Sequence, residues 1–181
     1  AVTLGSLRRN YGIKNFDYGP AAGSGSYRYG MTDWLTLEAH AEGAQELALG
    51  GAGTVIKLGQ FGVVNTSYSQ SRMRGDAGGQ INWGYQYSTS EFSVATQHTR
   101  RDRGFGNLAL YDQPTVYDEN DKPIASFSRN TDQYSLTFNL GRYGNIGAAW
   151  IGVESFDSQK TELLNLSWSR NLWGASSIYL A

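Results

Sequence analysis

Polar and apolar residues alternate along most of this chain, in short stretches separated by turn formers. From Trp34 to Glu42 the pattern is clean. Leu35, Leu37, Ala39 and Ala41 fall on one side, and Thr36, Glu38, His40 and Glu42 on the other, because a β-strand sends successive side chains to opposite faces. Ile81, Trp83, Tyr85 and Tyr87 likewise oppose Gln80, Asn82, Gln86 and Ser88. Phe92, Val94 and Thr96 oppose Ser93, Ala95 and Gln97. Tyr134, Leu136, Phe138 and Leu140 oppose Ser135, Thr137 and Asn139, and Leu164, Leu166 and Trp168 oppose Asn165, Ser167 and Ser169. The pattern predicts about eleven strands, over 1–9, 20–31, 34–43, 47–58, 62–71, 78–88, 91–101, 132–141, 145–154, 161–170 and 176–181. Most have the ~10 residues that a tilted strand needs to cross a bilayer. The stretch 47–58 has no clear facing, since Val55 and Ile56 are adjacent and Lys57 falls on the Leu49 side.

Between these stretches, short connections (32–33, 59–61, 89–90, 142–144, 171–175) alternate with longer ones (10–19, 44–46, 72–77, 102–131, 155–160). Short turns at one end and long loops at the other are the pattern of an outer-membrane β-barrel, with the long loops outside. The expected fold is all-β: the wall of an antiparallel transmembrane β-barrel, with 102–131 as an extracellular loop. That loop carries Asp102, Arg103, Gly104, Asp118, Glu119, Asn120, Asp121, Lys122 and Pro123.

Composition fits this wall. Charged residues are 17%, well below the usual quarter, and aromatic residues are 13%. Tyr27, Tyr29, Trp34, Tyr85, Tyr87, Tyr143 and Trp173 fall near strand ends, where amphipathic rings settle at the headgroup level. The mean hydropathy of −0.44 alone suggests a soluble protein, but in a barrel the polar face offsets the lipid-facing one. No apolar run is long enough for a transmembrane helix. A net charge of −1 gives no reason to expect a nucleic-acid partner, and the absence of Cys removes disulfides and thiolate metal sites. No signal peptide opens at Ala1, so the chain reads as mature, truncated or a fragment.

Few residues suggest chemistry. Glu38, His40 and Glu42 share one face about 7 Å apart, too straight an array for a three-ligand metal site, and read as a polar wall. His98 has no evident partner. Gly104, Gly106 and Ala109 fit G-x-G-x-x-A without the strand and helix that a dinucleotide site requires. Arg100, Arg101 and Arg103 form a positive cluster that reads as a solvated loop base holding Asp102 and Asp112. No nucleophile–base set or phosphate cradle is present, so no enzymatic activity and no cofactor are expected.

Three runs carry a resemblance: Leu7-Arg8-Arg9-Asn10-Tyr11-Gly12, Phe16-Asp17-Tyr18-Gly19-Pro20, and Gly25-Ser26-Tyr27-Arg28-Tyr29-Gly30. Thr32-Asp33-Trp34-Leu35-Thr36-Leu37-Glu38 and His40-Ala41-Glu42-Gly43 continue it. The chain resembles the fimbrial outer-membrane ushers, the assembly platforms of chaperone–usher pili. The resemblance implies a bacterial outer-membrane location and a pore of about 24 strands. It also implies that the pore receives periplasmic chaperone–subunit complexes and secretes pilus subunits, using no ATP and no cofactor. It makes residues 1–181 a partial barrel domain, starting after the plug and lacking the plug and the terminal soluble domains. Glu38, His40, Glu42, Gln80, Asn82 and Gln86 are then the lumen-facing candidates for subunit contact, and outer-membrane lipid covers the other face.

Strand arithmetic agrees with a fragment. Strands ~4.8 Å apart and tilted ~40° each add ~6 Å of circumference, so eleven close to a diameter of ~22 Å and 24 to ~48 Å. A folded domain of ~150 residues is over ~30 Å across and passes only the larger ring. The competing expectations are a self-contained small porin or adhesive barrel, and a soluble β-rich binding module.

Overall fold

A computed structural model describes residues 1–8, 18–111, 116–117, 123–124, 128–171 and 177–180, with side chains described over 1–5, 21–111 and 128–170. Strands β1 (Val2–Arg8), β2 (Tyr18–Gly30), β3 (Leu35–Ala44), β4 (Leu47–Lys57), β5 (Val63–Met73), β6 (Asp76–Ser88) and β7 (Phe92–Arg101) follow one another. A one-turn helix α1 (Leu108–Tyr111) and a small pair, β8 (Val116–Tyr117) with β9 (Pro123–Ile124), precede β10 (Asn130–Asn139), β11 (Asn145–Glu154), β12 (Lys160–Asn171) and β13 (Ser177–Leu180).

All strands except β8 and β9 form one eleven-stranded antiparallel sheet in which each strand pairs with its chain neighbours, and β7 pairs with β10. The order is a pure meander. The sheet is not closed: β1 pairs only with β2, and β13 only with β12. The expected strands therefore all form, within a few residues of their predicted ends.

The expected alternation of short and long connections does not hold. The connections at Gln45–Glu46 and Arg74–Gly75 are tight turns, because Ala44 at the end of β3 pairs with Leu47 at the start of β4, and Met73 at the end of β5 pairs with Asp76 at the start of β6. Glu46 (φ 62°), Arg74 (φ 52°) and Gly75 (φ 95°) adopt the left-handed backbone that such hairpins need. Two expected long loops are thus turns, and the connections 9–17 and 102–129 are what distinguish one end of the sheet from the other. We call that end the loop end and the opposite one the turn end. Of the expected loops, most of 10–19, the Asp118–Lys122 run and Trp173 lie outside the described residues.

Among the described residues the buried apolar side chains are Leu47, Leu49, Phe105 and Tyr111, and nothing else. A soluble domain of this length buries most of its apolar surface in a two-layer core. Here the large apolar residues stand in the open: Leu164 is 64% exposed, Leu166 60%, Phe138 42% and Trp83 37%. No second layer covers them among the described residues. The stability of this sheet comes from its ladders and from whatever solvent its apolar face meets.

Candidate functional site

Register carries the polar face across the sheet. Glu38 lies opposite Gly53, then Ser67, Asn82, Thr99 and Thr131 in successive strands. His40 begins the next row, through Gly51, Ser69 and Gln80 to Arg101, and Glu42 the one after, through Leu49 and Ser71 to Gly78. Gln86, toward the turn end, lies opposite Val63 and Ala95. Glu38, His40, Glu42, Gln80, Asn82 and Gln86 therefore share one face, as the period of two requires.

Hydrogen bonds tie this face together. Asn82 donates to Ser67 Oγ (3.1 Å) and accepts from Thr99 Oγ1 (2.8 Å) and Gln80 Nε2 (3.3 Å). Arg101 Nε donates to Gln80 Oε1 (2.5 Å). On β2 and β3, Arg28 pairs with Glu38 (2.5 Å) and His40 with Glu42 (2.8 Å). Both carboxylates are thus engaged by neighbours, and no group of metal-ligating side chains occurs among the described residues. From β5 to β12 the described polar face is mostly amide and hydroxyl: Asn65, Ser67, Gln97, Gln133, Ser135 and Asn165 are typical.

One segment crosses this face. Residues 102–111 fold back as a strap over β3–β6 at the loop end. Asp102 Oδ2 accepts from Gly79 N (2.9 Å), Gly106 N donates to Ser71 Oγ (2.8 Å), and Leu108 N donates to Glu42 Oε2 (2.8 Å). The Tyr111 hydroxyl donates to the Gln45 carbonyl. Arg74 Nη2 donates to the Tyr111 carbonyl (2.7 Å), and its guanidinium stands 5.4 Å over the Tyr111 ring. The approach is too close for ordinary side chains at three points, and at Gly104 a Cβ would meet the Ala77 carbonyl oxygen at 2.4 Å. A Cβ at Gly78 would meet Phe105 N at 2.2 Å, and one at Gly106 would meet Met73 Cε at 2.7 Å. Ser71, 3% exposed, is buried beneath the strap with Leu47 and Leu49. This settles the facing of 47–58: Leu47, Leu49 and Lys57 share the polar face, and the two leucines are apolar because the strap covers them.

Gly104, Gly106 and Ala109 belong to this strap. Gly104 packs on Ala77 and Gly106 on Met73, and only one helical turn follows.

The three arginines do not cluster. Arg101 points to the polar face, toward Gln80 and Ser128. Arg100, one residue earlier, points to the apolar face. Arg103 reaches the Phe156 carbonyl (3.2 Å). Alternation separates neighbours that the linear sequence places together. Asp102 serves the Gly79 amide, and Asp112 lies outside the described residues.

His98 has a partner that its sequence neighbourhood conceals. Its Nδ1 lies 2.7 Å from Asp132 Oδ1, and Arg100 Nη2 lies 2.8 Å from the same oxygen. Trp83 stacks on His98 (5.2 Å between centroids), Tyr134 meets it edge-on (5.3 Å), and Trp150 follows at 5.4 Å from Tyr134. This ring-and-ion cluster sits on the apolar face. Arg28, Ser71, Thr99, Phe105 and Tyr111 also escaped the sequence reading. Alternation from Glu38, Asn82 and Gln97 signals the facing of Thr99, whereas nothing local signals the strap.

No protein-family model matches the sequence, and no curated protein matches it. Among solved structures, the chain is similar to the P pilus usher (PapC) translocation pore. The TM-score is 0.70 at 16% sequence identity, over 98% of this chain. The chain spans 37% of the length of that structure. At that identity the likeness speaks to fold, and it agrees with the resemblance carried by the usher-like runs in the first strands. The described sheet has the fold of an usher-type β-barrel pore wall, present here as an unclosed arc.

Proposed function

We propose that this chain is part of the wall of an outer-membrane usher pore, through which pilus subunits are assembled and secreted. In this reading the polar face lines an aqueous lumen and the apolar face meets lipid. Further strands complete the ring to about 24, since unpaired strand edges are costly in a bilayer. Glu38, His40, Glu42, Gln80, Asn82 and Gln86 then face the passing subunits and the chaperone–subunit complexes that deliver them. The work is positioning and passage, without catalytic residues or cofactors of this chain's own.

The observation that carries the proposal is a single continuous sheet with one polar face and one broad, uncovered apolar face. Apolar patches of that extent mark a membrane or protein contact. The likeness to the PapC pore supports the pilus assignment, and the lack of a buried core counts against a soluble binding module. A self-contained small barrel is disfavoured by the flat pairing order with two open edges.

The test uses the intact protein that contains this segment. Single cysteines at Asn82 and Ser67, and at Trp83 and Leu166, are probed with a water-soluble maleimide in membranes. Labelling at Asn82 and Ser67 with protection at Trp83 and Leu166 is expected. The reverse pattern ends the lumen assignment. Loss of surface pili on deleting the protein, restored by its gene, tests the cargo.

A further inference from the structure

Resting on the reading that the apolar face meets lipid, we infer that Arg100 and Trp83, held in place by Asp132 and His98, are a seat for the phosphate of a membrane lipid. The seat lies at the loop-end edge of the apolar face. The charges there are local. In the row through Arg100, the outward positions of β4, β5 and β6 are Ala52, Tyr68 and Ile81. One row nearer the turn end, His98 lies between Trp83 and Asp132. Beyond that row the face is apolar again, with Tyr134 beside Trp150 and Leu136 beside Ala148. Ionisable groups on a lipid-facing strand are costly and mark a site by default.

The hydrogen-bonding capacity left over in this cluster belongs to donors. Arg100 Nη1 donates to the Thr99 carbonyl (3.0 Å) and Nη2 to Asp132 Oδ2 (3.0 Å), and its Nε–H has no acceptor among the described residues. The Trp83 indole N–H has none either. Guanidinium and indole donate and cannot accept. The carboxylates nearby are already engaged. Asp132 Oδ1 lies 2.7 Å from His98 Nδ1, and Glu154 accepts from Asn130 Nδ2 (2.7 Å). Such a set fits a ligand rich in acceptor oxygens, and a guanidinium fork matches phosphate above others.

The seat is fixed before any ligand arrives. The Arg100 guanidinium stands 5.4 Å from the Trp83 ring, and the imidazole of His98 stacks on that ring at 5.2 Å. Asp132 ties Arg100 and His98 together, yet 36% of the Arg100 side chain stays exposed. The apolar face runs on from the seat toward the turn end through Tyr134, Leu164 and Leu166, all exposed. That surface suits acyl chains, and a free phosphate would use none of it. The occupant is therefore a phosphorylated lipid rather than the free anion.

The test uses the intact protein that contains this segment, purified in detergent. It is offered diphosphorylated lipid A, the same lipid with its phosphates removed, and inorganic phosphate alone. Bound lipid is counted by native mass spectrometry for wild type, Arg100→Gln and Trp83→Leu. We expect wild type to hold the phosphorylated lipid about tenfold more tightly than the dephosphorylated one, equivalent to about 1.4 kcal/mol. Arg100→Gln should abolish that preference, and Trp83→Leu should reduce it. Wild-type binding that ignores the phosphates overturns the inference, whether or not the variants fold. A preference that survives both substitutions does so too. Inorganic phosphate that displaces the lipid at equal concentration overturns the lipid as its source. Failure of the pore reading is read separately: a water-soluble maleimide that labels Leu166→Cys shows that this face meets no lipid.

Discussion

Two groups of residues depart from the sheet's sidedness in opposite senses and are instructive to compare. On the polar face, Leu47 and Leu49 stand in rows that β5 and β6 continue with Met73 and Asp76, and with Ser71 and Gly78. On the apolar face, His98, Arg100 and Asp132 occupy positions where the same strands carry Phe92, Val94, Leu136 and Phe138. Each exception has its own local solution. The leucines are covered by a strap that brings Phe105 and Tyr111 to them. The charges satisfy one another through Asp132 and are flanked by Trp83, Tyr134 and Trp150.

The difference lies in where the compensation comes from. The leucines depend on a segment more than fifty positions away in sequence, whereas the charges depend on directly paired strands. A residue that violates the binary pattern therefore reports an unseen neighbour rather than an error in the pattern. The charged cluster also lies toward the loop end of β7 and β10, the ends at which headgroup contact is expected of a wall of this kind.

Removing Phe105 breaks the comparison most strongly. Phe105→Ala takes away half of the strap's apolar anchorage and costs about 3 kcal/mol of strap docking. Hydrogen exchange of the Gly106 and Leu108 amides should accelerate strongly, with the β10–β12 amides unaffected. Equal acceleration in β10–β12 would show that the strap and wall unfold as one unit.

Asp132→Ala comes next. It leaves Arg100 and His98 facing outward without their acceptor and destabilises the sheet by about 2 kcal/mol. Arg100→Ala added to it should cost less than the sum of the two single changes. Additive values in a double-mutant cycle, read from denaturant unfolding in detergent, would mean the cluster is not a unit.

Ser71→Ala is smaller. It leaves the Gly106 amide without its acceptor beneath the strap, at about 1 kcal/mol, and is seen in the same exchange experiment as a change confined to the strap. The smallest effect belongs to Arg28→Ala. The Arg28–Glu38 pair has 69% and 38% of its two side chains exposed, so its loss costs at most about 0.5 kcal/mol. High salt should erase even that, since the screening length falls to about 3 Å at 1 M. A cost that survives high salt would show that Arg28 is held by more than Glu38.

The sequence on its own determined the strands, their order of sides and the shared face of Glu38, His40, Glu42, Gln80, Asn82 and Gln86. Those are consequences of a period of two, which needs only nearest neighbours along the chain. It also separated Arg100 from Arg101 in principle, although their adjacency suggested a cluster. Connection lengths were misjudged because turn residues such as Arg74 and Gly75 can be drawn into hairpins by the register of the strands beside them. The pairing of β7 with β10 across the intervening loop, the His98–Asp132–Arg100 contact and the strap over Leu47 and Leu49 were decided by tertiary structure. Each joins residues far apart in the chain, through distances and burial that no local pattern encodes.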